Sequence, residues 1–181
     1  MRLNNNRGDG RIKGSFDKSI LKNTTDGNKM RFLYYDRVDH IEKNSTITGV
    51  KSFTLSEEFF RNHFRKQAII PGVIFIEAMA QLLGWLVIYS HGFKLSAVMS
   101  LIEDVTVPPE RRPGFSAEIH GELISTSPGD SLGRAWITDN GKEIARLNRI
   151  IYSHVKNANA EDLKRLFYYY SGIKGLIDET R

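Results

Sequence analysis

The sequence predicts an α+β fold, an antiparallel sheet wrapped on one long helix. Three observations predict it. Residues 71–90 form an apolar run that is too long for a strand and too apolar for a surface helix. Segments on either side alternate apolar and polar residues with period two, as half-buried strands do. Turn signals at Lys43-Asn44, Ser127-Pro128-Gly129-Asp130 and Asp139-Asn140-Gly141 join neighbouring segments, which suits antiparallel pairing.

Taken in order, residues 1–29 read as a polar N-terminal extension. Ile12, Phe16 and Ile20 have helical spacing there, but Gly8, Gly10, Gly14 and Gly27 weaken it. Met30 to Tyr35 is an aromatic, apolar lead-in expected to be buried. Residues 36–42 and 45–53 then form a predicted hairpin, the second rich in β-branched residues. Ser56 before two acids predicts a capped helical turn with Phe59 and Phe60 packed inward.

The long helix is expected from Pro71, at the first helical position, to Tyr89 or Ser90, with Gly92 near its stop. Four strands follow: residues 96–107, 115–125, 132–138 and 142–155. In the second, Phe115, Ala117, Ile119, Gly121 and Leu123 share a face. The body thus covers residues 30–155. Residues 156–181 read as a C-terminal helical tail, capped by Asn159, with an apolar stripe of Leu163, Leu166, Phe167 and Tyr170 and an end at Gly172 or Gly175.

A chain of 181 residues suits one domain with appendages and can bury a core without staples. It has no cysteine, so disulfides and thiolate metal sites are excluded. With no apolar leader in residues 1–28, that composition fits a cytoplasmic, reducing setting. The net charge of +5 suggests an acidic partner: a carrier protein, a coenzyme A phosphate or a nucleic acid. Nucleic acid is the weakest of these, because no aromatic-basic motif is present. The apolar run approaches membrane-spanning length, but Glu77 and Gln81 at its centre argue against a span. No His/acid cluster has metal-ligand spacing.

Chemistry concentrates at that helix. His63 precedes it, Pro71-Gly72-Val73 opens it, and Glu77 and Gln81 interrupt its apolar run. The first amides of a helix are unpaired and electropositive; proline has none, so Gly72 and Val73 are the available donors. Alone, each polar residue is more often structural than catalytic, and Gln81 could simply be a satisfied buried amide.

His63-Phe64, six residues, Pro71-Gly72-Val73, then Glu77-Ala78-Met79-Ala80-Gln81 together resemble the signature of the β-hydroxyacyl-acyl-carrier-protein dehydratases of FabZ/FabA type. The likeness extends over about residues 30–155, including FLYYDR at 32–37 and SLIEDVTVPPERRPG at 100–114. It implies a hot-dog fold, a curled antiparallel sheet around a long central helix. It also implies a homodimer with His63 of one subunit facing Glu77 of the other.

By that resemblance His63 is the base, Glu77 the acid and Gly72 the oxyanion donor. Phe64, Pro71, Val73 and Gln81 meet the substrate. Arg65, Lys66, Arg111 and Arg112 are the candidates to meet an acidic acyl carrier protein, or coenzyme A. No cofactor and no metal are implied. The implied reaction dehydrates a (3R)-hydroxyacyl thioester to a trans-2-enoyl thioester in fatty-acid or polyketide-type synthesis. The sequence departs from the family after His63-Phe64, where Arg65, Lys66 and Ala68 replace a Pro-Gly pair and a further proline. Two alternatives stay open: a thioesterase, a class that hot-dog proteins also include, and a non-catalytic acyl-thioester-binding or partner subunit, which that departure keeps in view.

Overall fold

The computed structural model describes residues 32–61, 67–156 and 158–173. The chain divides into two compact units, Met1–Phe32 and Leu33–Arg181. The expected helix around Ile12, Phe16 and Ile20 lies outside the described residues.

Among the described residues, the second unit is built on a six-stranded antiparallel sheet and two α-helices. The strands are β1 (Arg37–Ile41), β2 (Thr46–Phe53), β3 (Leu95–Thr106), β4 (Phe115–Thr126), β5 (Asp130–Asp139) and β6 (Lys142–Lys156). Their order in space is β1-β2-β4-β5-β6-β3. Helix α1 (Gly72–Ser90) lies against the sheet, and α2 (Ala160–Ser171) follows the last strand.

The period-two pattern determines which face of each strand meets α1. In β4, Ala117, Ile119, Gly121 and Leu123 are buried and alternate with more exposed residues. In β2, Ile47, Gly49, Lys51 and Phe53 point inward. The β5–β6 turn is tight: Asn140 and Gly141 both take positive φ, 50° and 76°, the geometry an Asn-Gly hairpin favours.

Helix α1 supplies the core. Phe75, Met79, Leu82, Leu83 and Leu86 are completely buried, and each such side chain contributes about 1.5–3 kcal/mol. It touches β2, β3, β4, β5 and β6. Five strands laid flat span about 19 Å at normal spacing, more than a helix about 10–12 Å wide can cover, so the sheet must curl around it. Close approach is helped at Gly121 and Gly133, where an added Cβ would come within 3.2 and 2.9 Å of Leu83. Among the described residues α1 is the one helix long and apolar enough to cross a membrane, and here that apolarity is spent on the sheet.

Helix α2 is capped as expected: the Asn159 side chain accepts from the amides of Glu161 and Asp162, and Gly172 ends it at φ 68°. Its buried Phe167 packs on Trp85 and Tyr89 of α1 and on Phe93, with ring centroids 5.3, 6.0 and 5.7 Å away.

Three local expectations differ. Pro71 is the residue before the helix, at φ −60° and ψ 136°, and α1 begins at Gly72. Proline's fixed φ fits either place, and its extended ψ directs the chain into the helix from the side. The short turn is a 3-10 helix from Glu58 to Arg61, and the Ser56 hydroxyl pairs with that of Thr54 at 2.7 Å rather than capping it. In the lead-in, Tyr35 is buried but Phe32 is 66% exposed.

Candidate active site

The start of α1 is held from outside. Pro71 carries no amide hydrogen, and its carbonyl accepts from Ile74. One residue earlier, the Ile70 amide donates to the Arg111 carbonyl at 2.8 Å. The Arg111 guanidinium pairs with the Asp139 carboxylate and lies 4.4 Å over the Phe115 ring. The loop after β3 therefore clamps the chain as it turns into α1. Gly72 backs onto the same loop: a Cβ there would sit 2.9 Å from the Val107 side chain. Val73 is 62% exposed. The Gly72 and Val73 amides thus open the helix where its dipole favours negative charge.

Glu77 lies five residues on, about 7.5 Å along the axis, and is half-buried. The Gln81 amide nitrogen donates to its Oε1 at 2.9 Å. The Gln81 amide oxygen in turn accepts from the Tyr34 peptide N–H at 2.9 Å. Two phenols share the neighbourhood. Burial pushes the Tyr34 hydroxyl pKa up, Glu77 and then Glu57 add to this, and Lys51 opposes it. Burial, with Glu77 adding, raises Tyr152 well above an ordinary phenol. Both therefore stay neutral hydroxyls beside the acid. Tyr152 donates to the Ala80 carbonyl at 2.7 Å.

His63, Phe64, Arg65 and Lys66 lie outside the described residues. The chain leading to them is anchored. Lys51, buried on the inner face of β2, pairs with Glu57 at 2.6 Å and Asp36 at 3.3 Å. Asp36 also accepts from the Ser52 amide at 2.6 Å.

The structure thus brings Gly72, Val73, Glu77 and Gln81 onto one helix, with Pro71 immediately before it. Of the two loop arginines, Arg111 is engaged within the fold, while Arg112 is exposed and carries no ion pair among the described residues. His40 is exposed, His120 stacks on Trp136, and His91 and His154 pack together far along the chain from this site. Sequence reasoning missed Tyr34 and Lys51. A backbone donor leaves no mark in a sequence. Lys51 does leave one, being in phase with the inward-facing Ile47, Gly49 and Phe53.

A family model described as a FabA-like domain matches residues 27–106. The 3-hydroxyacyl-acyl-carrier-protein dehydratase FabZ of Lactiplantibacillus plantarum is 33% identical over 98 residues, which cover 54% of this chain and 67% of that protein. The FabZ of Rickettsia rickettsii is 40% identical over 94 residues, 51% of this chain and 65% of that one. The chain thus spans about two thirds of the length of these curated relatives.

Among solved structures, the smu.793 protein of Streptococcus mutans bound to acetyl CoA superposes with a TM-score of 0.53 at 13% identity, covering 74% of this chain and 99% of that one. A hypothetical thioesterase of Streptococcus pneumoniae with coenzyme A does so at 0.51 and 12%, covering 67% and 88%. At such identities the likeness speaks to the fold alone, and the fold is the hot-dog α+β fold. The sequence likeness to the curated dehydratases carries the classification: the chain belongs to the FabZ/FabA-type hot-dog family.

Proposed function

We propose that this protein is a lyase that dehydrates (3R)-hydroxyacyl thioesters, carried on acyl carrier protein, to trans-2-enoyl thioesters in fatty-acid synthesis. The observation that carries the reading is Glu77. Its carboxyl is held by Gln81 on an otherwise apolar helix, a short distance from the first amides of that helix. The dehydratase names of the relatives support the same reading.

His63 takes the proton from C2, next to the thioester carbonyl. The Gly72 amide, with Val73 beside it, stabilises the negative charge that builds on the carbonyl oxygen. Glu77 gives its proton to the 3-hydroxyl as the C3–O bond breaks. The electron pair from the C2–H bond becomes the C2–C3 double bond, and water leaves. Phe64, Pro71 and Val73 would line the substrate's path. His63 is left protonated and Glu77 ionised, and solvent exchange restores both.

The active unit is a homodimer in this proposal, with His63 and Glu77 from different subunits. Strand β3 supports it: a 12-residue strand that among the described residues has one neighbour, and that exposes Val98, Met99, Leu101 and Val105. A second copy could pair along it and cover those side chains. Arg65, Lys66 and Arg112 are the residues proposed to meet the acidic carrier, or the phosphates of coenzyme A, with Arg111 holding Arg112's loop in place. The setting is cytoplasmic.

The test is mass spectrometry of hydroxyacyl-carrier and hydroxyacyl-coenzyme A substrates. We expect loss of one water per acyl chain, with turnover falling about 10²- to 10⁴-fold in His63→Ala and Glu77→Gln. Release of free thiol without an alkene would identify a thioesterase instead. Tight binding without turnover would identify a binding subunit.

A further inference from the structure

We propose that the peptide N–H of Tyr34 is a positioning group for this reaction: it locks the Gln81 amide so that Gln81 donates to Oε1 of Glu77, leaving Oε2 to carry the transferring proton. The inference rests on the dehydratase reading and assigns the chemistry to one oxygen of the acid.

A carboxamide can face a carboxyl group in two ways. With its NH2 toward the acid it donates. Turned over, it offers an oxygen, which a protonated acid could meet with its own hydrogen. A glutamine side chain alone does not settle which occurs. Here the backbone settles it. A peptide N–H can only donate, and that of Tyr34 lies 2.9 Å from Oε1 of Gln81. Turning the amide over would set hydrogen against hydrogen at Tyr34, leaving a partly buried donor unpaired. The NH2 must therefore face Glu77, where it lies 2.9 Å from Oε1.

A protonated carboxyl oxygen is the poorer acceptor, so the amide's hydrogen bond to Oε1 of Glu77 favours the carbonyl form of that oxygen. The acidic proton is thereby directed to Oε2, to which no other described side chain donates. The proton leaves from one place, in one direction, throughout turnover. Tyr34 sits well for such a role. Its ring lies 6.4 Å from Phe59, on the 3-10 turn that runs toward His63. One residue thus touches both the support of the acid and the approach to the base.

The groups facing this link are the Tyr34 phenol itself, Glu57 and Lys51 from the sheet side, and Tyr152 from β6. Glu57 and Lys51 are engaged with each other, and Tyr152 is committed to Ala80.

Two measurements test the lock. In steady-state kinetics, Gln81→Met and Gln81→Glu should lower kcat about 10- to 100-fold while KM changes by less than about twofold. Tyr34→Pro, which removes the N–H, should match them, and Tyr34→Ala, which keeps it, should lose far less. If Tyr34→Pro does not fold, as circular dichroism would show, the Gln81 pair carries the same test.

Independently of activity, the Gln81 side-chain NH2 should give two well-separated, exchange-protected proton signals by NMR. They should collapse in Tyr34→Pro and in Glu77→Leu. Wild-type kcat in Gln81→Met, or a freely exchanging Gln81 amide, would overturn the proposal. A wild-type protein that dehydrates no substrate yet shows the protected amide would instead overturn the dehydratase reading and leave the lock standing.

Discussion

The hydroxyl of Tyr152 donates to the carbonyl of Ala80 across 2.7 Å, joining β6 to the part of α1 that carries Glu77. Gly84, one turn further on, faces the same ring, and a Cβ there would make ordinary contact with it at 3.5 Å. Tyr152→Phe keeps the ring and removes one buried hydrogen bond. We expect a loss of about 0.5–1.5 kcal/mol, read from chemical denaturation.

Gly72 faces Val107 so closely that an added methyl must move something. Gly72→Ala should displace the start of α1 and lower turnover more than it lowers the melting temperature. Val107→Ala in the same chain removes the obstacle and should restore part of the turnover. If the single variant behaves like the wild type, the helix start is not held by this contact.

Lys51 is a buried cation between two acids that are themselves partly exposed. Lys51→Ala leaves Glu57 without its partner just before the turn that leads to His63. We expect a cost of about 1–3 kcal/mol together with lower turnover, and substantial recovery of both in Lys51→Arg. Thermal melting and steady-state assays on the same preparations separate the two effects.

Phe167 is wholly buried and links α2 to Trp85 and Tyr89 of α1. Phe167→Ala should cost about 3–5 kcal/mol. Trp85, whose ring lies 5.3 Å from it, then becomes wetter, so fluorescence emission should shift to longer wavelength. Limited proteolysis should reach α2 before the sheet.

His154 lies with its Nε2 2.8 Å from the Ser131 hydroxyl and its ring 4.6 Å from that of His91. Burial, and then His91, lower its pKa below 6.5, with the Pro128 carbonyl and Asp130 pulling the other way and Lys156 adding to the depression. Burial likewise lowers His120, against the pull of Glu118. For a histidine lowered in the fold, the unfolded chain takes up its proton first as pH falls. This part of the stability is therefore intact above about pH 6.5 and is lost below it. Denaturation midpoints measured from pH 7.5 down to 5 should fall, and should fall less steeply in His154→Asn.

Much of this fold is written in local patterns. The helix is legible because nothing else accommodates so long an apolar run, and β4 is legible because five alternating residues share one face. The hairpin turn at Asn140-Gly141 is legible because the backbone needs φ values those residues tolerate. What escapes is anything decided by distant parts of the chain. Tyr34 and Gln81 meet through a peptide group, 47 residues apart in sequence. The bulge in β3 between Met99 and Leu101 changes the phase of a strand whose alternation was already blurred. Arg111 and Arg112 look alike in sequence, and only the position of Asp139 and Phe115 makes one a brace and leaves the other open.

The chain order of the strands and their spatial order disagree most at β3. It is made third, but among the described residues its sole neighbour in the sheet is β6, the last of these strands to be made. At roughly 5–20 residues per second, the chain from Thr106 to Lys156 takes several seconds to emerge from the ribosome. Through that interval β3 has both hydrogen-bonding edges unfilled, and it carries Val98, Met99, Leu101 and Val105. Its pairing with β6 is also non-local, the kind of contact that forms slowly. The nascent protein is therefore most vulnerable to clumping until β6 has been synthesised, and chaperones that hold the emerging chain or a lower growth temperature should raise the yield of folded chain more than any change to the finished surface.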